Sequence, residues 1–167
     1  MSYIHPTAVI GENVIIEEDV YIGPLCVIGF PAEWKGKKST KGVKISKGVV
    51  LTGLVTVDAG VERMTVIGKG SYLMKHSHVG HDAILFDNVT LSCGAKVGGH
   101  TVIQSGTNVG LNAVIHQKLV VPEYCMIGAS AFIGKKTELK PYRKYAGVPA
   151  KDIGSNESFC NIPELPS

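Results

Sequence analysis

Aliphatic residues recur at every sixth position along most of this chain. From Ile67 the rule holds without a gap through Leu73, Val79, Leu85, Leu91, Val97, Ile103, Val109, Ile115, Val121 and Ile127 to Ile133. The same phase governs Ile4, Ile10, Ile16, Ile22 and Ile28, then resumes at Ile45, Leu51 and Val57. Two positions before each of these the side chain is usually small, as at Ala8, Cys26, Ser71, Ser77, Ala83, Ala95, Thr101, Thr107 and Ala113, with Gly, Asn or Asp between the pairs. No helix of period 3.6 fits a strict spacing of six, and a hairpin sheet would need turn signals at wider, less regular intervals. Each hexapeptide therefore reads as one short strand with a large and a small inward side chain, followed by a corner. Three hexapeptides close one coil of a triangular prism, and the pattern predicts an all-β fold, a parallel β-helix of hexapeptide repeats.

Two breaks interrupt the repeat. The first, 30–44 (FPAEWKGKKSTKGVK), holds Lys35, Lys37, Lys38, Lys41 and Lys44 beside the sole tryptophan, Trp34, and predicts a protruding loop. Such a loop is a solvated lysine-rich surface or a basic flap over an anionic ligand such as a nucleotide sugar, coenzyme A phosphates or an acyl carrier protein. The second break, Asp58 to Thr65, adds four residues to one hexapeptide and by itself predicts nothing further. The expected organisation is a β-helix over 1–136, with the loop inserted at 30–44, and a short non-repeat C-terminal extension over 137–167.

Composition narrows the function class. The net charge of +3 is too modest for a general nucleic-acid binder. No apolar run approaches membrane-spanning length, and Met1 to Pro6 leads directly into the first coil with no signal-peptide character. Cys26, Cys93, Cys125 and Cys160 show no CxxC spacing, and Cys26 and Cys125 take the small inward position, so a reducing cytoplasmic compartment is expected.

The histidines carry the candidate chemistry. With successive hexapeptides counted as faces one, two and three from Ile67, the starts Val79, Val97 and Ile115 share face three, one coil apart. His81, His100 and His116 belong to those hexapeptides and are expected to climb one wall at about 5 Å per coil, with His76 and His78 near the preceding edge. A single histidine on a corner is ordinarily a solvated polar residue, but three on one wall suit a general base, a substrate-binding cluster or a metal site.

The segment His78-Val79-Gly80-His81-Asp82, then Gly99-His100, then Ile115-His116-Gln117, resembles the UDP-N-acetylglucosamine O-acyltransferases of lipid A synthesis within the hexapeptide-repeat acyltransferases. Those enzymes carry His-Ile-Ala-His-Asp, Gly-His and Val-His-Gln at matching separations, and Asp-Leu-Lys where Glu33-Trp34-Lys35 stands. The resemblance covers roughly 4–134. It implies a left-handed prism, a hand that spacing does not reveal, since parallel crossovers are generally right-handed. It further implies His81 as general base, Asp82 as its orienting partner and the Gly99 backbone N–H as oxyanion donor. His78, His100, His116, Gln117 and Lys35 would contact substrate, with Glu33 and Trp34 as further candidates. Neighbours on a flat strand point apart, so His81 and Asp82 can touch only where the chain turns a corner. No enzyme nucleophile is needed, because a thioester is already activated; Cys93 is the nearest challenger.

The chain departs from that family after Ile133, where only a short segment replaces a substantial helical region. Tyr145 to Lys151 (YAGVPAK) instead resembles the Gly-x-Pro-Ala-Lys ending of coenzyme-A-dependent hexapeptide acetyltransferases, which implies donor-binding roles for Gly147 and Lys151. The leading expectation is an acyltransferase moving an acyl group from acyl carrier protein or acyl-CoA to a hydroxyl or amine of a sugar nucleotide, with no tightly bound cofactor and no metal. An acetyl-CoA-dependent amino-sugar N-acetyltransferase is the alternative. A zinc carbonic anhydrase, using His76 and His81 five residues apart, and a non-catalytic β-helix binding protein are further alternatives. A flat prism wall offers no deep pocket, and the family forms its sites between the prisms of a homotrimer. The same is expected here, with His81 of one chain facing loop residues of the next.

Overall fold

The computed structural model describes residues 1–157; Cys160 and most of the 155–167 tail lie outside the described residues. Among them every regular element is a strand, and none is a helix long and apolar enough to cross a membrane. The strands form three sheets of nine, seven and six members, and within each sheet successive strands lie one coil apart and pair in parallel, save for the antiparallel last pair of the nine-stranded sheet. On face three, for example, His78 pairs with Lys96, Lys96 with Val114 and Val114 with Phe132. The prism winds as a left-handed β-helix, as the resemblance implies.

The core is a single column built by the six-residue rule. Ile67, Leu85, Ile103 and Val121 stack from face one, Leu51, Leu73, Leu91, Val109 and Ile127 from face two, and Val57, Val79, Val97, Ile115 and Ile133 from face three, all buried. Most of the small inward positions are buried as well, and at several polar ones a corner carbonyl takes up the hydroxyl: Thr101 Oγ1 donates to the His116 carbonyl at 3.0 Å and Thr107 Oγ1 to that of Pro122 at 2.7 Å, while the Ser77 hydroxyl has no partner among the described residues. Corners turn through a left-handed residue at the same point of most hexapeptides, with φ of 61° at His76, 60° at Asp82, 58° at Asn88 and 58° at His100. Such φ values are unusual for non-glycine residues, and Asn and Asp tolerate them best.

The two ends differ. Ile4 is exposed at the first coil, whereas buried Tyr145 closes the last, its hydroxyl accepting the Lys140 N–H at 2.6 Å. Tyr145 lies on Arg143–Gly147, which pairs in parallel with Met126–Ile127 and so continues face two, then folds back antiparallel onto Ala150–Ser155. An Arg143–Asp152 ion pair at 2.7 Å spans that hairpin.

Both breaks in the repeat leave from face three. The first follows Val27–Phe30 and the second follows Thr56–Asp58; each rejoins the prism on face one, at Val43–Ile45 and Thr65–Ile67. They lie above one another on the edge where face three turns into face one, and backbone hydrogen bonds lace them together through Gly42 and Gly60. One coil further along, that same edge carries His81.

Candidate active site

His81 follows His78–Val79, His100 follows Lys96–Val97 and His116 follows Val114–Ile115, so all three imidazoles belong to the edge between faces three and one. The eighteen-residue coil aligns them in columns. His81, Gly99 and Gln117 form one column; Asp82, His100 and Lys118 form the next; Gly80, Gly98 and His116 form a third. The His81 and His100 rings meet edge to face with centroids 5.1 Å apart. His116 shares the edge, but its ring packs against Phe132 at 6.5 Å and its Nδ1 lies 3.0 Å from the Gln117 carbonyl. His76 sits on a different edge, between faces two and three, so within one chain it does not stand beside His81. Cys93 stands on that other edge as well.

The corner makes the His81–Asp82 contact possible. With Asp82 in the left-handed conformation, its carboxylate folds back beside the preceding ring, and His81 Nδ1 lies 2.6 Å from Asp82 Oδ2. Asp82 Oδ1 accepts three successive backbone N–H groups, from Val61 at 3.1 Å, Glu62 at 2.8 Å and Arg63 at 2.6 Å. Burial alone would raise the Asp82 pKa, but the Arg63 and Glu62 N–H groups and His81 outweigh it and hold the carboxyl below the ordinary aspartate value. Asp82 is therefore an ionised, fully buried acceptor. A carboxylate on Nδ1 keeps that nitrogen protonated and leaves Nε2 as the free, basic nitrogen.

Gly99 lies directly under the ring. A Cβ there would come within 2.7 Å of His81 Nε2 and 2.8 Å of Cε1, so only glycine admits the imidazole in this place. The Gly99 N–H makes no backbone hydrogen bond among the described residues, while the flanking Gly98 and His100 N–H groups bond to Ile115 and His81 carbonyls. A basic nitrogen and an uncommitted donor thus lie on adjacent coils.

From the other side Trp34 covers His81. The indole stacks on the imidazole at 5.0 Å and meets His100 edge-on at 5.8 Å, while Lys37 Nζ lies 5.4 Å from the indole centroid. Within one chain, the loop that faces His81 is therefore the chain's own. Lys35 and Glu33 are exposed on the same loop. His78 projects outward from face three; its Nδ1 lies 2.8 Å from Thr56 Oγ1 and its Nε2 3.8 Å from Asp58 Oδ2. Burial pushes the Asp58 pKa up, with His78 and the Glu33 backbone N–H opposing. His78 and Asp58 line a groove of about 600 Å³ with Phe30, Leu54 and Lys96.

Gly147 and Lys151 lie on the C-terminal hairpin. Lys151 joins Phe132, Lys135 and Lys136 in a recess of about 400 Å³. His116 is in ring contact with that same Phe132, so the basic recess borders the far end of the histidine edge. His81, Asp82 and His100 also hold their ligand atoms within 4.8 Å of one another, the spacing of a metal site, although Asp82 Oδ1 is committed to three N–H groups and Oδ2 to His81.

Sequence reasoning gave the second break no role, and this is its main omission: Val61, Glu62 and Arg63 hold Asp82, and Asp58 faces His78. The available signal was phase, since the break leaves face three one coil before the His81 corner.

No described family profile matches the chain. It is 24% identical to the acyl-[acyl-carrier-protein]–UDP-N-acetylglucosamine O-acyltransferase of Paraburkholderia phymatum over 93% of its own length and 74% of the relative's. Among solved structures it superposes on UDP-N-acetylglucosamine acyltransferase from Campylobacter jejuni with a TM-score of 0.82 at 22% identity, covering 97% of this chain and 79% of that one. It also superposes on the acetyltransferase domain of PglB from Neisseria gonorrhoeae, in complex with acetyl coenzyme A, with a TM-score of 0.60 at 25% identity, covering 91% and 57%. Other curated relatives are matched over as little as 50% of their length. The relatives are named as acyltransferases, and the coil architecture is that of the solved acyltransferases on which the chain superposes.

Proposed function

We propose that the chain transfers an acyl group from a thioester, carried by acyl carrier protein or coenzyme A, to a hydroxyl or amine of a sugar nucleotide. The observation that carries this reading is the Asp82–His81 pair with its free Nε2 seated over Gly99. His81 Nε2 takes the proton of the acceptor O–H or N–H as that atom attacks the thioester carbonyl. The Gly99 N–H donates to the oxygen that becomes negative. Collapse of the tetrahedral species breaks the C–S bond, and the proton on His81 passes to the departing thiolate. His100 and Gln117 flank the reaction position for substrate contacts, His78 faces the groove on face three, and His116 extends the edge. Trp34 and Lys35, with Glu33, form the roof.

Lys151 and Gly147, with Lys135 and Lys136, suit the anionic part of the donor. Their recess favours the N-acetyltransferase alternative insofar as a phosphate-bearing donor such as coenzyme A would need cations at this end. The zinc alternative is decided by metal analysis of the purified protein. The three described cysteines are free thiols, which fits a reducing cytoplasmic location.

The assembly we propose is a homotrimer. On face one the outward side chains are aliphatic coil after coil, at Ile15, Val66, Ile84, Val102 and Val120, interrupted by Lys44. This face begins at the His81 edge, so a neighbour packed on it would wall the site.

The test is thiol release from acyl-CoA and acyl carrier protein thioesters across a panel of nucleotide sugars, with products weighed by mass spectrometry. His81→Ala is expected to lower turnover by about 100-fold or more, the usual contribution of a general base. Turnover that survives this substitution removes His81 from the reaction.

A further inference from the structure

We propose that Arg63 is a positioning residue that locks the Asp82–His81 pair by clamping the backbone of two successive coils; the inference rests on the reading of His81 as the base. Arg63 comes from the second break in the repeat and reaches the corner in two ways. Its backbone N–H is one of the three on Asp82 Oδ1. Its side chain crosses the edge, with Nε donating to the Asp82 carbonyl at 2.7 Å and Nη2 to the His100 carbonyl at 3.3 Å. Asp82 and His100 are equivalent residues one coil apart, both left-handed at the corner, so a single planar guanidinium spans the rise between two coils. Arg63 makes no ion pair among the described residues. Its hydrogen bonds are spent on these two carbonyls.

The clamp is not what makes the corner. The corners at Asn88, Asn112 and Ser130 adopt the same conformation, with φ of 58°, 53° and 56°, and no described side chain bonds their carbonyls. What is particular to the Asp82 corner is the tolerance it needs. His81 Nδ1 meets Oδ2 at 2.6 Å while the same ring rests on Gly99, so a rotation of Asp82 or a slip of one coil against the next would break the pair or push the ring off its seat. Three N–H groups on Oδ1 stop the carboxylate from turning. The guanidinium stops the coils from slipping. The four-residue excess of the second break supplies both, and Gly60 lets the loop turn back tightly on Arg63.

Arg63→Ala and Arg63→Lys in the full chain test the proposal. Losing a supporting contact behind a reactive group typically costs about 10–100-fold. Arg63→Ala is expected to lower kcat by about that factor while KM stays within about threefold, and Arg63→Lys, which can serve only one carbonyl at a time, to fall between. A readout independent of turnover is the ¹⁵N spectrum of the His81 ring in the free protein, above its titration. The native chain should show one tautomer, protonated on Nδ1, and Arg63→Ala a mixture, with the thermal melt recording any general loss of fold. Native kcat and a single tautomer in both variants would overturn the clamp. If the native chain turns over no thioester, or His81→Ala keeps full turnover, the proposed function falls, and the tautomer spectrum still decides whether Arg63 holds His81. Should Arg63→Ala fail to fold, Arg63→Lys carries both measurements, with an unchanged kcat and tautomer counting against the proposal.

Discussion

Two aspartates near the site are pushed in opposite directions. Asp82 is held below its ordinary pKa, so its ionised form stabilises the fold above the ordinary aspartate value, and that stability is lost as pH falls through the depressed folded pKa. Asp58 is raised by burial, so its contribution is complete below the ordinary aspartate value and is lost as pH rises through the raised folded pKa. At neutral pH Asp58 therefore costs stability, a common trait of groups kept for function. Asp58→Asn is expected to raise the Tm at pH 7, by about 2–4 °C for each kcal/mol recovered, and to give no gain at pH 3. Melting curves at the two pH values check this, and an equal loss at both would mean that the hydrogen-bond geometry of the carboxylate outweighs its charge. At this scale the histidines and Asp82 were legible as residue types at a fixed spacing. The seat of His81 on Gly99 was not, because equivalence by eighteen says which residues stack and nothing about which way a ring tilts.

At the level of the hexapeptide, each inward aliphatic side chain touches its counterparts one coil above and below, so stability is a sum of neighbour contacts along the column. Ile103, fully buried between Leu85 and Val121, is representative. Ile103→Ala is expected to cost about 2–5 kcal/mol in chemical denaturation, the usual range for such a truncation. The strands were readable because the rule of six is local. The second break was readable as an interruption and even as one leaving face three, yet its role was not. Three backbone N–H groups converging on one oxygen depend on φ and ψ in a short irregular segment, where no periodicity constrains them.

For the molecule as a whole, the outer surface of face one differs from the other two. Face three presents Thr56, His78 and Lys96 between Val27 and Val114, and face two presents Tyr72, Thr90 and Asn108 between Val50 and Met126, whereas face one presents an aliphatic stripe broken by Lys44. The homotrimer proposed above uses this stripe. Ile84→Lys, at its middle, is expected to lower the mass in sedimentation while leaving the β-sheet circular dichroism unchanged. A native chain that already sediments at its single-chain mass of 17.8 kDa would exclude the assembly.

The sequence by itself determined the prism, the content of its core and the sharing of one edge by His81, His100 and His116, because a strict period converts position along the chain into position around the column. The tertiary structure alone decided which groups on that edge are joined. The breaks have no period, so it took folded coordinates to bring Trp34 over His81, the Val61–Arg63 backbone onto Asp82 and the Arg63 guanidinium across two coils. Hydrogen bonds between segments about twenty to forty residues apart obey distance in space, which no spacing along the chain encodes once the repeat is interrupted.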